Sequence, residues 1–196
     1  MITVGNDIVD LRAADAVDKW RDRRFMERVF SRSQCEEILR APDRDRALWS
    51  HWAAREAAYK AGKRLAAPVS LSWNDHPDFV HCSAIQPGTH TQVRIEACNL
   101  EIAGTLTERE MESTSGYLPS IKLRLLAKRE LEMDGVEIVR DKVGKKWGPP
   151  YVILHGKTVP EIALSFSHDG EWLALIIAWS SQSCRTHSAS HRRIRS

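Results

Sequence analysis

The sequence predicts an α+β fold in which an antiparallel sheet packs against one long central helix. Three observations carry this. Helical and strand-like patterns are segregated along the chain rather than alternating as in a doubly wound sheet. Residues 43–64 form the strongest helical pattern, rich in Ala, Arg, Leu and Lys. The last strand-like runs, 162–167 and 172–179, flank an Asp169-Gly170 turn signal.

Each element has a local reason. Residues 2–9 read as a strand because Ile2, Val4, Ile8 and Val9 are β-branched; Gly5-Asn6-Asp7 interrupts them, presenting one acid amid apolar neighbours. Helical patterning follows over about 18–30, from Val17 and Trp20 through Phe25, Met26, Val29 and Phe30. Ser31 or Ser33 caps a short helix holding Cys35, Ile38 and Leu39. Pro42-Asp43 opens the long helix, which stops near Gly62 and Pro68. In the middle of the chain, alternation predicts strands at 90–97 (Val93, Ile95, Ala97) and 120–126 (Ile121, Leu123, Leu125), with a polar loop at 107–119. Strands at 136–139 and 151–154 flank a turn with Gly144, Gly148, Pro149 and Pro150, and the final hairpin follows.

With 196 residues, 42% hydrophobic and 28% charged, the composition suits one compact domain, 1–179, and a disordered basic tail, 180–196. The tail holds Arg185, Arg192, Arg193 and Arg195 and no acid; its +4 leaves −1 on the other residues, so the net charge of +3 does not argue for nucleic-acid binding. No apolar run reaches the ~20 residues of a membrane-spanning helix. The N-terminus lacks the basic-then-apolar pattern of a signal peptide. Cys35, Cys82, Cys98 and Cys184 are scattered, without CxxC. A cytoplasmic protein with reduced thiols, no membrane and no nucleic-acid partner is expected.

HExxH, GxSxG and GxGxxG are absent, and Gly156-Lys157-Thr158 has Tyr151 where a P-loop needs its first Gly. Chemistry concentrates elsewhere. On the long helix, Glu56 and Lys60 are four apart and share one face. Such a pair is most often solvated. Here the surrounding Ala residues and nearby Trp49 and Trp52 point to burial, and a buried carboxylate and ammonium need partners. A divalent metal with a polyphosphate satisfies both: Glu on the metal, Lys on phosphate oxygens. Asp7 is the best candidate for a second hard oxygen ligand. His168, placed at the tip of the final hairpin, is within reach of a ligand there.

Four motifs, in order, resemble a family. They are GNDIVDL at 5–11, FMERVFS at 25–31, WAAREAAYKA at 52–61 and ALSFSHDGEWLALIIA at 163–178. Together they resemble the 4′-phosphopantetheinyl transferases, and most closely the holo-(acyl carrier protein) synthase type. The resemblance covers about 1–64 and 134–179. It implies transfer of 4′-phosphopantetheine from coenzyme A to a Ser of an acyl or peptidyl carrier protein, releasing adenosine 3′,5′-bisphosphate. Carried over by motif, Asp7 and Glu56 would ligate Mg²⁺ on the coenzyme A diphosphate. Lys60 would hold the diphosphate and stabilise the leaving group. Glu56, or a water on the metal, would take the proton of the carrier Ser. His168 would contact a phosphate of the coenzyme, and Arg44 and Arg46 its 3′-phosphate. Arg21, Arg24, Phe25 and Arg28 would dock the acidic helix of the carrier, by charge steering that weakens with salt.

The sequence also departs from the family pattern. Arg55 replaces the usual Lys and keeps the charge; His51 stands where an Arg is common; the loop after Lys60 reads Gly62-Lys63-Arg64. The family's G-K-P turn corresponds either to Gly148-Pro149-Pro150 or to Gly144-Lys145-Lys146. The Val9 position lacks the second acid of the two-repeat, single-chain type. About 60–70 extra residues between Lys60 and Val136 predict a β-rich insertion over 65–133. The small synthases are homotrimers with sites between subunits; the insertion preserves that assembly, changes it, or covers the interface internally. A competing reading is a non-catalytic carrier-docking module of the same fold. Fatty acid, polyketide and nonribosomal peptide carriers share the Ser chemistry, so the sequence does not name the pathway.

Overall fold

The computed structural model describes residues 2–62, 69–144 and 146–180. Lys63, Arg64, Pro68, Lys145 and the basic tail from 181 onward lie outside the described residues. The chain opens with β1 (Val4–Asp10), then a 3₁₀ turn (Lys19–Arg21), α1 (Arg23–Val29), α2 (Arg32–Arg40) and α3 (Arg44–Gly62). Three strands follow, β2 (Ser70–His76), β3 (Phe79–Ile85) and β4 (His90–Ala97), then α4 (Glu108–Glu112) and α5 (Leu118–Leu131). Next come β5 (Val136–Val139), β6 (Lys142–Val143), β7 (Lys146–Trp147), β8 (Tyr151–Leu154) and β9 (Lys157–Thr158). The hairpin β10 (Ile162–Asp169) and β11 (Trp172–Trp179) ends the ordered elements. The fold is α+β, with its strands in small antiparallel sheets ordered β1-β3-β2, β10-β11-β4, β5-β8-β9 and β6-β7.

Helix starts follow local capping chemistry. Asp22 caps α1 by accepting the Phe25 N–H, which splits the stretch expected as one helix over 18–30. Ser31 caps α2 in a full capping box with Gln34. Asp43 accepts the Arg46 N–H at 2.9 Å where α3 begins.

Helix α3 lies on β1 and β3 through small side chains. Ala53, Ala57 and Ala61 are fully buried against Val9, Val80, Cys82 and Ala84. Gly5 permits the approach: a Cβ there would stand 2.0 Å from the Ala57 carbonyl oxygen and 2.7 Å from the Ala61 nitrogen. Both are backbone atoms that no rotamer change can move. Gly5→Ala is therefore expected to force the strand off the helix, at about 3 kcal/mol. The measurable result is a fall in Tm of about 6–12 °C; an unchanged Tm would show that the helix and strand are not in this contact.

The free edge of β1 is closed in an unusual way. The N–H groups of Asn6, Ile8 and Asp10 donate to side chains of β10: Ser165 Oγ at 3.1 Å, Ser167 Oγ at 3.3 Å and Asp169 Oδ2 at 2.8 Å. Alternate side chains of one strand thus replace the backbone ladder and tie two sheets together.

The largest apolar cluster sits under α5. Leu123, Leu126, Ala127 and Leu131 pack on Ile138, Val152, Leu164, Leu173, Leu175 and Ile177. Here the structure corrects the sequence expectation. The run 120–126, expected as a strand from Ile121, Leu123 and Leu125, is helical. Its buried residues recur at helical spacing over a longer span, and Pro119 sits in the first turn, where its missing N–H costs nothing. The loop expected at 107–119 contains α4, opened by a Thr107–Glu110 capping box. The β-rich insertion expected over 65–133 is, within the described residues 69–133, strands in its first half and helices in its second.

A buried polar network fixes α4 and α5 to β5. The Glu110 carboxylate is fully buried and accepts from Ile138 N–H at 2.7 Å, Thr107 N–H at 2.8 Å and Lys128 Nζ at 3.0 Å. The Arg124 guanidinium, also fully buried, donates to the Ile138 carbonyl and to the carbonyl and hydroxyl oxygens of Ser113 and Ser120. Every donor has an acceptor, which is what makes burying this charge tolerable.

His81 on β3 is fully buried, and burial, with help from Lys60, pushes its imidazole down to about 4. The unfolded chain, near 6.5, binds the proton first. The stabilisation is complete above pH 6.5 and is lost as pH falls toward 4, a loss of about 3 kcal/mol across that window. Urea midpoints at pH 7 and pH 5 measure it; equal midpoints in His81→Phe at the two pH values, with a drop in the native protein, would assign it to this residue.

Candidate active site

Asp7 and Lys60 meet where β1 crosses the last turn of α3. Lys60 Nζ donates to Asp7 Oδ1 at 2.7 Å, to the Asn6 carbonyl at 2.8 Å and to Ser167 Oγ at 3.4 Å. Ser167 Oγ donates to the same Asp7 oxygen at 3.0 Å while accepting the Ile8 N–H. Asp7 Oδ1 is thus held from two directions, and among the described residues Asp7 Oδ2 has no hydrogen bond. Ser167 stands inside a motif visible in the sequence; its link to Asp7 spans 160 positions and has no local signal.

Glu56 lies one helical turn before Lys60 on the same face, half-buried. Among the described residues it makes no hydrogen bond or ion pair, and it does not line the cavities beside Asp7. His168 lies on β10 paired with Leu173, not at the tip of the hairpin; the turn is Gly170-Glu171. Gly170 is required there: its φ is +49°, and a Cβ would stand 2.3 Å from Asp10 Oδ2. Burial pushes the His168 imidazole below its ordinary value, against the opposing pull of Asp169. The Tyr117 ring, at the start of α5, meets the His168 ring edge-on at 5.1 Å.

Two cavities adjoin, sharing Asp7 and His168 in their walls. One, about 250 Å³, is basic: Lys60 and Arg140 line it with Tyr117 and Ser120. The other, about 300 Å³, is lined by Phe25, Trp49 and Trp52 and by Asp15 and Asp169. Beyond Lys60 and Arg140 lies a third, larger space of about 560 Å³, walled by Trp147, Pro149 and Pro150. Sequence reasoning missed Arg140, which follows a short strand with no motif around it.

Of the remaining candidates, Phe25 lines the aromatic cavity, and the arginines do not line either cavity beside Asp7. Arg44 and Arg46 are in the first turn of α3, roughly 21–24 Å along the axis from Lys60. Arg44 stacks over Trp20 at 4.5 Å, and Arg46 donates to the carbonyls of His76 and Pro77. On α1, Arg24 and Arg28 are exposed and make no hydrogen bond or ion pair among the described residues. Arg21 pairs with Asp18 at 3.0 Å. Phe25 is half-buried among Phe30, Trp49 and Trp52, so it forms the cavity wall rather than a free knob.

Residues 3–102 match the profile of the 4′-phosphopantetheinyl transferase superfamily, and the chain belongs to that superfamily. It is also similar to the holo-[acyl-carrier-protein] synthase of Rhodopirellula baltica, at 25% identity over 116 residues, 55% of this chain and 91% of that protein. Asp7, Glu56 and Lys60 fall within the matched residues; Tyr117, Arg140, Ser167 and His168 lie beyond them. No described helix is long and apolar enough to cross a membrane.

Proposed function

We propose that this protein transfers 4′-phosphopantetheine from coenzyme A to a Ser hydroxyl of an acyl or peptidyl carrier protein. The observation that carries the reading is the Asp7–Lys60 pair: Asp7 stands in the wall between a basic cavity and an aromatic, acidic one, and Lys60 holds it from the basic side. The basic side suits a diphosphate. The other side is reached past Phe25 on α1, whose exposed Arg24 and Arg28 suit an acidic carrier helix.

The residues fit a magnesium ion. Among the described residues no three His, Cys, Asp or Glu side chains cluster to hold a metal by themselves. Among the described residues Asp7 Oδ2 and the Glu56 carboxylate make no hydrogen bond or ion pair, and these two hard-oxygen donors would hold it. Mg²⁺ is commonly held by one or two carboxylates plus waters and substrate phosphates. When bound, it would neutralise charge on the diphosphate.

In the reaction the carrier Ser oxygen bonds to the phosphorus bearing the pantetheine. The bond from that phosphorus to the bridging oxygen breaks, and adenosine 3′,5′-bisphosphate leaves. Glu56 accepts the Ser proton. Lys60 has three N–H donors, all engaged within the protein. Its longest contact, to Ser167 at 3.4 Å, is the one a phosphoryl oxygen replaces. Lys60 then stabilises the leaving group while staying anchored by Asp7 and Asn6. Most of the rate comes from such positioning and charge stabilisation. His168, whose imidazole burial shifts toward the neutral form, donates a hydrogen bond to a phosphate.

The test is product release. Coenzyme A, Mg²⁺ and an apo carrier should yield adenosine 3′,5′-bisphosphate by chromatography, and a carrier with its acceptor Ser replaced by Ala should yield none. Coenzyme A and carrier binding without product across fatty acid, polyketide and nonribosomal peptide carriers would favour the docking-module reading instead.

A further inference from the structure

Among the described residues Arg140 has no counter-ion. Its Nε donates to the Gly148 carbonyl at 2.6 Å, which fixes the plane of the guanidinium. Among the described residues its two terminal nitrogens make no hydrogen bond, and no carboxylate pairs with it. Lys60, by contrast, is neutralised by Asp7. Burial pushes the Arg140 pKa down, and its charge also acts on Arg124, whose pKa burial and Arg140 both lower. A half-buried cation facing another cation is costly unless an anion completes it. Arg140 lines two cavities, each shared with Lys60.

We propose that Arg140 is an anion-binding residue of this site, its guanidinium fork taking an oxygen of the coenzyme's diphosphate alongside Lys60. This assignment rests on the transferase reading. A planar fork with one N–H already anchored is pre-organised for a phosphate oxygen. The position beside Lys60, rather than at the distant Arg44 and Arg46, selects the diphosphate over the 3′-phosphate.

Calorimetric titration of the full chain with coenzyme A and with dephospho-coenzyme A, both in Mg²⁺, tests it. Arg140→Gln should weaken both ligands by a similar factor, about 10- to 100-fold. Arg140→Lys, keeping the charge without the fork, should recover part of the loss. Wild-type affinity in Arg140→Gln overturns the assignment alone. A loss confined to coenzyme A moves the contact to the 3′-phosphate and overturns it as stated. A native protein that binds neither ligand overturns the transferase reading and this assignment with it. Should Arg140→Gln not fold, phenylglyoxal labelling of the native protein decides the question by peptide mass. Coenzyme A should protect Arg140, and equal labelling with and without it overturns the proposal.

Discussion

Lys60→Ala is expected to lower carrier modification by about 10²–10⁴-fold. The single ammonium joins β1, α3 and β10 at one point, through Asp7 Oδ1, the Asn6 carbonyl and Ser167. On the proposed mechanism its removal takes away the cation facing the leaving group and leaves the Asp7 carboxylate held by Ser167 alone. Lys60→Arg should not restore the rate. Two short contacts and one longer one converge on one nitrogen, which suits a compact ammonium and not a planar fork. Initial rates with saturating coenzyme A and apo carrier measure the effect. Far-UV circular dichroism on the same samples separates it from unfolding. A variant within a few-fold of the native rate would remove Lys60 from the chemistry.

Glu110→Ala is the substitution with the largest expected cost in stability, about 3–5 kcal/mol. The truncation removes the Lys128 ammonium's only carboxylate partner among the described residues, leaving it the Thr105 carbonyl, and leaves the Ile138 and Thr107 N–H groups without their acceptor. Against a typical total of about 5–15 kcal/mol, that loss leaves α4 and α5 poorly held. The Tyr117 ring on His168 is carried by the start of α5, so coenzyme A affinity should fall along with the urea midpoint. A stability loss below about 1 kcal/mol would mean that water replaces the carboxylate without penalty.

The parts of this fold that sequence reveals are those whose causes are local. A serine cap for α2, Ser31 or Ser33, and Asp43 at the start of α3 can be read from a few adjacent residues. So can the β-branched run of β1 and the apolar hairpin. Helix α5 was hidden because Ile121, Leu123 and Leu125 also alternate, and only the longer span to Leu131 decides for the helix. Helix α4 was hidden by its polarity: Glu110 looks like a surface residue, yet it is satisfied by partners 18 and 28 positions away.

The site divides along the same line. Asp7, Glu56, Lys60 and His168 were found through ordered motifs, and the structure joins Asp7 to Lys60 and brings His168 to the same cavities. Glu56 shares the helix face but not the cavity lining. Nothing local marks Arg140, because what singles it out is that no carboxylate among the described residues pairs with it, although Asp141 is its neighbour in the chain. The side-chain ladder from Ser165, Ser167 and Asp169 to β1 is likewise a consequence of two sheets meeting.

The intact mass of an apo carrier protein, after incubation with this protein, coenzyme A and Mg²⁺, tests the central claim most directly. The account predicts a gain of one phosphopantetheine, lost with EDTA and lost in Asp7→Ala and Glu56→Ala. An equal gain in those two variants, or no gain on any apo carrier from the three carrier classes, would contradict it.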